Sequence, residues 1–168
     1  MRYVVFDVET TGLYVEKGDR IIEIGAVEVN EDVMGHEFHS FADTDKRISK
    51  NAYKVHGITP EMLAGQPKSE DVFDLFQQFI SNSTLVAHNA DFDIAFLRHE
   101  FWRMGKELYN SYKCTLKLSR KHYPALPDYR LDTVAKYVLE VEVDRQRLHR
   151  ALDDARLTAR IWIEIGKK

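Results

Sequence analysis

Three short acidic clusters stand in otherwise apolar surroundings and are the parts of this chain best suited to chemistry. They are residues 6–12 (FDVETTG), 88–93 (HNADFD) and 149–154 (HRALDD). Carboxylates beside buried strands and helices are costly unless their charge is compensated, and a bound divalent cation is the usual compensation. The clusters therefore predict a metal centre.

The first cluster follows a strand pattern. The β-branched and aromatic run at residues 3–6 predicts a core strand, and Asp7 and Glu9 lie at its far end. Residues two apart on a strand point to the same face, so these carboxylates would lie roughly 7 Å apart, a gap that one or two cations could bridge. In the following turn, Gly12 permits close approach of the backbone to a ligand. The alternative is a strand end with two solvated acids.

The second cluster joins an apolar strand to a helix over residues 91–104. Asn89 or Asp91 is well placed to cap that helix. Asp93 lies within the first turn, where the helix dipole favours an anion. For His88 and Asn89, the alternative is an ordinary role as loop residues that hold the turn together.

The third cluster follows the polar stretch of residues 143–147 and opens the last helix, whose apolar residues recur at helical spacing. His149 would lie at or just before the helix start, loosely held and able to move. Asp154 would lie about one and a half turns inside, among small residues that allow close packing. The alternatives are a surface role for His149 and a solvated position for Asp153.

Together the clusters favour one kind of chemistry. Two carboxylates about 4 Å apart repel by roughly 4 kcal/mol at an effective dielectric constant of 20, so four converging carboxylates require cations. Oxygen ligands without cysteine favour Mg²⁺ or Mn²⁺ over Zn²⁺. Two such ions about 3.5 to 4 Å apart can activate a water and stabilise the leaving oxygen in phosphoryl transfer. His149 would supply the general base.

Five motifs follow one another along nearly the whole chain. They are FDxETTG at residues 6–12, IIEIGA at 21–26, VHGIT at 55–59, HNAxFD at 88–93 and HxALxDA at 149–155. In this order they resemble the DnaQ-like 3′-to-5′ exonucleases of the DEDDh type, relatives of the proofreading subunit of bacterial DNA polymerase III.

The resemblance implies roles for individual residues. Two Mg²⁺ or Mn²⁺ ions would be held by Asp7, Glu9, Asp93 and Asp154, and His149 would deprotonate the attacking water. A pocket for the 3′-terminal nucleotide would be lined by Thr10, Thr11, Leu13 and His56, with support from Asn89 and Phe92. Asp91 and Asp153 fall off the family's ligand positions, and the choice of Asp154 over Asp153 rests on the resemblance alone. Without it, His56 could be a loop histidine or a ring that stacks on a base.

The implied enzyme is a metal-dependent 3′-to-5′ exonuclease that acts on single-stranded DNA and releases nucleoside 5′-monophosphates in proofreading or repair. Its partners would be 3′ ends and a DNA polymerase or repair complex. One alternative is an exoribonuclease, because the metal motifs do not report the 2′-hydroxyl. Another is a non-catalytic module that binds 3′ ends or a polymerase. The proofreading subunit has a carboxy-terminal extension that docks on its polymerase, whereas this chain stops after its last helix, which leaves attachment open.

The order of the elements predicts an α/β fold. Strands are expected near residues 3–9, 21–29, 36–43, 84–88 and 111–114, and helices near 70–80, 91–104, 115–122, 131–139 and 150–165. Three early strands with short connections suggest an antiparallel meander, and the two later strands complete a mixed sheet with helices on both faces. This order matches the family's ribonuclease H-like fold. With 168 residues, 44% of them hydrophobic, residues 1–168 are expected to form a single exonuclease domain.

Charge is divided unevenly along the chain. The net charge of −3 combines a balance of −8 over residues 1–112 with one of +5 over residues 113–168. Eight basic residues could guide a nucleic acid backbone toward the neutralised site: Lys113, Lys117, Arg120, Lys121, Arg130, Arg145, Arg147 and Arg150. The alternative is an ordinary solvated surface.

Compartment signals are few. The single cysteine, Cys114, allows no internal disulfide and predicts a reducing compartment. A strand begins within three residues of the amino terminus, which leaves no room for a signal peptide, and no apolar run has membrane-spanning length. A cytoplasmic protein without membrane contact is expected.

Overall fold

The computed structural model describes residues 1–143 and 149–167, so Arg145 and Arg147 lie outside the described residues. The strands are β1 (Arg2–Thr10), β2 (Ile21–Asn30), β3 (Val33–Phe41), β4 (Thr84–Ala87) and β5 (Tyr112–Cys114). The helices are α1 (Lys50–His56), α2 (Pro60–Leu63), α3 (Ser69–Ile80), α4 (Ala90–Arg103), α5 (Thr115–His122), α6 (Leu131–Leu139) and α7 (Ala151–Gly166), with a 3-10 turn at Val15–Lys17. Within the described residues, every helix is too short or too polar to span a lipid bilayer.

The five strands form one mixed sheet in the order β3-β2-β1-β4-β5. The first three pair antiparallel, and β4 and β5 run parallel to β1. The predicted α/β class, with an antiparallel meander and two further strands, is therefore confirmed. In β1, which occupies the centre, Val4, Val5 and Phe6 are fully buried.

Each face of the sheet carries helices. Val4 and Phe6 of β1 belong to a core with α3 and α4, whereas Val5 packs with Ala155 of α7 on the other face. Because side chains alternate along a strand, Asp7 and Glu9 share the face that α7 covers. The alternation thus directs both acids toward the last helix.

Helix α7 lies across β1 and β2. Its fully buried Ala155 and Ala159 have only methyl side chains, which allow the helix to approach the strands closely. Its amino-terminal turn rests on Gly25 of β2, where an added Cβ would lie 2.2 Å from the Leu152 nitrogen. Small residues on both elements therefore bring the start of α7 against the sheet.

The element bounds differ from the expected ones in two places. Strand β3 begins at Val33 because Glu31 and Asp32, with φ of 50° and 62°, form a two-residue hairpin turn. Helices α1 and α2 were not expected from the sequence. The bounds of α1 are set by its caps. The Ser49 side chain accepts a hydrogen bond from the Ala52 amide at 3.1 Å, and Gly57 ends the helix at φ 68°.

Candidate metal centre

The carboxylates from all three sequence clusters come together at the end of β1. Glu9, His149 and Asp154 each offer one atom that could bind a metal ion, and these three atoms all lie within 4.8 Å of one another. Asp93, at the start of α4, is buried, and Asp7 is half-buried. Burial, and then the charges of Asp93, Glu9 and Asp154, hold the pKa of Asp7 well above its usual range. The structure thus brings together the predicted ligands and the predicted base.

These acids are poorly solvated and repel one another. Burial is the largest cause in each case, and it raises the pKa of Glu9 to about 8, of Asp93 to about 8 and of Asp154 to about 7. Like charges add to the shift at Glu9 and Asp154. A divalent cation would remove both penalties, because it compensates charge that water cannot reach.

Asp93 lies where strands β1 and β4 separate. The β1–β4 ladder ends at the pair Val5–Val86. Farther along β1, the Val8 amide donates instead to the Asp93 carboxylate. Asp93 also lies in the first turn of α4, as predicted, where the helix dipole favours its charge.

The capping expected in this segment takes another form. Asn89 occupies the N-cap position of α4 at φ 70°, but its side chain makes no capping hydrogen bond, so that prediction is wrong. The left-handed backbone there turns β4 directly into the helix. Asp91 does not cap either: its carboxylate binds Lys117 Nζ at 2.7 Å and accepts from the Tyr112 hydroxyl. Asp91 thus stays away from the metal cluster, as the resemblance implies.

His149 and Asp154 are linked through the backbone. His149, at φ 65°, immediately precedes the N-cap of α7, and its amide donates to Asp154 Oδ2 at 3.0 Å. Asp154 Oδ1 is buried and has no hydrogen-bond partner among the described residues. A buried carboxylate oxygen without a partner is costly, and a metal ion would satisfy it. The residues present therefore fit a divalent cation.

The imidazole of His149 is suited to accept a proton. Partial burial and then the positive charge of Arg130 lower its pKa, which favours the neutral ring near neutral pH. Its neighbour Asp153 instead binds Arg156 at 3.0 Å. Helical geometry separates these two consecutive acids: Asp154 is buried in the cluster and Asp153 is bound at the surface.

Glu23 is a buried acid beside the cluster whose role the sequence reasoning missed. It is fully buried on β2 opposite Glu9. Burial raises its pKa, but hydrogen bonds from His39 at 2.7 Å and from Arg150 outweigh that effect and hold the pKa below its usual range. The Ala151 amide also donates to it at 3.4 Å. Glu23 therefore anchors the start of α7, and its only signal in the sequence is one acid inside the apolar IIEIGA motif.

The residues expected to line the nucleotide pocket surround the end of β1. His56 is buried, donates from Nε2 to the Thr10 carbonyl at 3.1 Å and accepts from the Ile58 amide at Nδ1. The Thr11 hydroxyl donates to Asp19, while Leu13 is 66% exposed. His56 thus holds α1 against β1, and a substrate-binding role for these residues stays a prediction.

The remaining pocket residues and the basic residues are spread more widely. Phe92 packs on Phe96 with ring centroids 4.8 Å apart, and Asn89 is exposed. Arg150 is bound to Glu23 at 3.0 Å. The other described basic residues that could guide a backbone are exposed on or near α5: Lys113, Lys117, Arg120, Lys121 and Arg130.

Comparison with known proteins relates this site to a family. The RNase_T family model, described as an exonuclease, matches residues 4–162. A DNA polymerase III of PolC type from Clostridium perfringens is 42% identical over 159 residues, which cover 95% of this chain and 11% of that protein. A DNA polymerase III subunit epsilon from Rickettsia felis is 38% identical over 172 residues, which cover 98% of this chain and 74% of that protein.

A solved structure supports the same assignment. Exonuclease X in complex with 5′ overhanging duplex DNA has a TM-score of 0.79 and 29% identity, and the match covers 98% of this chain and 91% of that chain. This likeness confirms the ribonuclease H-like fold. Exonucleases of this family depend on divalent metal ions. The chain belongs to the exonuclease family and is a DnaQ-like 3′-to-5′ exonuclease domain.

Proposed function

We propose that this chain removes nucleotides one at a time from the 3′ end of single-stranded DNA and releases nucleoside 5′-monophosphates. The supporting observation is the convergence of four acids and a histidine at the end of β1, where Asp154 Oδ1 is buried with no partner among the described residues. Two Mg²⁺ or Mn²⁺ ions would be held by Asp7, Glu9, Asp93 and Asp154. When bound, such ions stabilise developing negative charge and favour deprotonation of water.

The chain's own residues then assist hydrolysis. The neutral imidazole of His149 accepts a proton from the attacking water, whose oxygen forms the new bond to phosphorus. The bond between phosphorus and the 3′-oxygen of the preceding nucleotide breaks, its electron pair stays on that oxygen, and the oxygen takes up a proton from solvent. The products are a nucleoside 5′-monophosphate and a strand shortened by one nucleotide, with a 3′-hydroxyl end.

The terminal nucleotide would bind beside these ligands. At the end of β1, His56 is hydrogen-bonded to the Thr10 carbonyl and the Thr11 hydroxyl to Asp19, and the exposed Leu13 follows them. Apolar and ring surfaces at such a place can contact a base without reading its identity. Asn89 and Phe92 would support the pocket from the start of α4.

Cellular context is proposed from the relatives. One is named as a subunit of DNA polymerase III and another as a PolC-type polymerase, of whose length this chain spans 11%. We place the chain in the cytoplasm, in DNA proofreading or repair, associated with a polymerase or a repair complex. Residues 1–168 would act as one exonuclease domain.

A cleavage assay tests the proposal. DNA and RNA oligonucleotides of one sequence, labelled at the 5′ end, are incubated with Mg²⁺ or Mn²⁺, with and without chelator. We expect a ladder of DNA products shortened from the 3′ end and no products in chelator. Faster cleavage of RNA would point to an exoribonuclease, and binding without cleavage would point to a non-catalytic module. A duplex with a recessed 3′ end, compared with the single strand, tests the strand preference.

A further inference from the structure

A groove of 470 Å³ begins at the metal cluster and extends toward α5 and α6. Two of its lining residues, His149 and Asp154, belong to the metal cluster. Two others, Arg120 and Arg130, carry guanidinium groups. One continuous surface thus joins the acids of the cluster to basic side chains outside it.

The two arginines differ in how far their charge is compensated. The Arg120 guanidinium lies 5.5 Å from the centroid of the Tyr129 ring, and no acid of residues 1–143 or 149–167 forms an ion pair with it. Arg130 lies 3.6 Å from Asp132, and its side chain is 68% exposed. Within residues 1–143 and 149–167 the charge of Arg120 is therefore uncompensated, and Arg130 keeps donors available to solvent.

The segment that carries Arg130 is held in place. His88 donates from Nε2 to the Tyr129 carbonyl at 2.8 Å, and the Tyr129 hydroxyl donates to the Tyr123 carbonyl at 3.0 Å. The Arg130 amide donates to Asp128 at 3.0 Å. A ligand that contacts this segment would not have to order it first, and so would bind at a smaller entropic cost.

We propose that Arg120 and Arg130 bind phosphates of the nucleotides that precede the scissile bond. The inference rests on the proposed function. Once the terminal phosphodiester lies at the metal cluster, the rest of the strand must leave along a surface that accepts negative charge. Guanidinium groups suit phosphate because they donate two parallel hydrogen bonds. The preferred substrate is then a strand of several nucleotides, and its length is sensed in this groove.

Two substrates separate this role from catalysis. The p-nitrophenyl ester of thymidine 5′-monophosphate has one cleavable phosphodiester and no preceding phosphate, whereas a dodecamer of thymidylate has both. Arg120→Gln and Arg130→Gln should each raise KM for the dodecamer about tenfold, the effect expected for one charge-assisted contact. Hydrolysis of the ester should be unchanged at pH 8, where the His149 ring is neutral with or without the nearby charge of Arg130. The slope of log KM against log salt concentration should also fall by about 0.7 per lost contact.

Arg103→Gln is the matched control, because Arg103 is an exposed arginine at the end of α4 that does not line the groove. It removes the same charge and should leave the KM and the salt slope near those of the unmodified chain. Equal effects from Arg103→Gln and Arg120→Gln would show that only the overall charge of the chain matters, and would overturn the proposal.

Other outcomes are also decisive. An unchanged KM for the dodecamer in both arginine variants would overturn the inference while leaving the proposed function intact. An equal loss on ester and dodecamer would assign the arginines to catalysis or folding and would likewise overturn it. Failure of the unmodified chain to cleave either substrate would refute the proposed function, and with it this inference.

Discussion

Gly25 of β2 lies directly beneath the first turn of α7, so close that an added Cβ would come 2.2 Å from the backbone nitrogen of Leu152. Gly25 also pairs across the sheet with Asp7. The absence of a side chain at this position thus lets α7 approach β1 and bring Asp154 to the other acids. A residue with no chemistry of its own is therefore required for the metal centre.

Gly25→Ala should disrupt the site without removing any ligand. The added methyl group must displace the start of α7, at a cost of about 1–3 kcal/mol in the free energy of unfolding. Since a shift of about 1 Å in reacting groups can cost about 10²-fold, we expect at least that loss in kcat/KM. Steady-state kinetics and denaturant unfolding measure both effects.

Gly35→Ala on β3 is the control, because an added Cβ there meets its nearest atoms only at 3.8 Å. It should leave activity intact. Normal activity of Gly25→Ala would contradict the link between this contact and the position of Asp154.

Replacement of His149 should slow turnover with little change in stability, because the side chain is exposed. Loss of a general base typically costs about 10² to 10⁴ in rate, and we expect that loss of kcat for His149→Ala. The backbone at His149 has φ 65°, a conformation that Asn adopts more readily than Ala. Comparison with His149→Asn therefore distinguishes the effect of backbone strain from the loss of a general base. Turnover near normal in either variant would refute the role of base.

Asp7→Asn should weaken metal binding and activity together. The substitution removes one negative charge from a cluster in which burial and neighbouring acids already disfavour ionisation. Since even outer partners of metal ligands typically change affinity by about 10–100-fold, we expect Mn²⁺ affinity to fall at least about tenfold by calorimetry. Asp153→Asn, which removes an acid bound to Arg156, should bind Mn²⁺ normally. Equal affinities for Asp7→Asn and the unmodified chain would exclude Asp7 as a ligand.

Without metal, stability should fall as pH rises. Glu9, Asp93 and Asp154 have folded-state pKa values of about 8, 8 and 7, against ordinary values near 4. Between about pH 4 and pH 8, the folded state therefore binds more protons than the unfolded state. The contribution of these groups is therefore complete below about pH 4 and is lost as pH rises through 7 to 8.

Denaturant midpoints at pH 5 and pH 8 in chelator, and again in Mg²⁺, measure this effect. We expect the chelated protein to have the lower midpoint at pH 8, and Mg²⁺ to raise the midpoint there far more than at pH 5, because cations bind the ionised acids. Asp7→Asn should flatten the pH dependence. A chelated midpoint that rises from pH 5 to pH 8 would contradict the proposed repulsion.

Local patterns in the sequence were enough to predict much of the site. The alternation along β1 predicted that Asp7 and Glu9 share a face, and the helix pattern placed Asp93 in a first turn, both as found. The meander and the mixed sheet followed from short connections and alternating elements. These features depend on neighbours in sequence, which is why periodicity reports them.

Other features depend on contacts between distant segments. Helix α1 was missed because its seven residues depend on its caps and on the contact of His56 with Thr10, not on an apolar stripe. His88, in the second acidic cluster, binds Thr115 and Tyr129, 27 and 41 residues away. No local pattern could distinguish that role from catalysis.

The sequence by itself determined which residue types were available and their order along the chain: four carboxylates and a histidine in the pattern of an exonuclease family. The tertiary structure decided which of two adjacent acids, Asp153 or Asp154, is buried in the cluster. It did so because the close contact of α7 with Gly25 turns one of them toward the sheet and leaves the other beside Arg156. The physical reason is that burial and charge repulsion arise only once separate elements pack together, and spacing within one segment cannot report them.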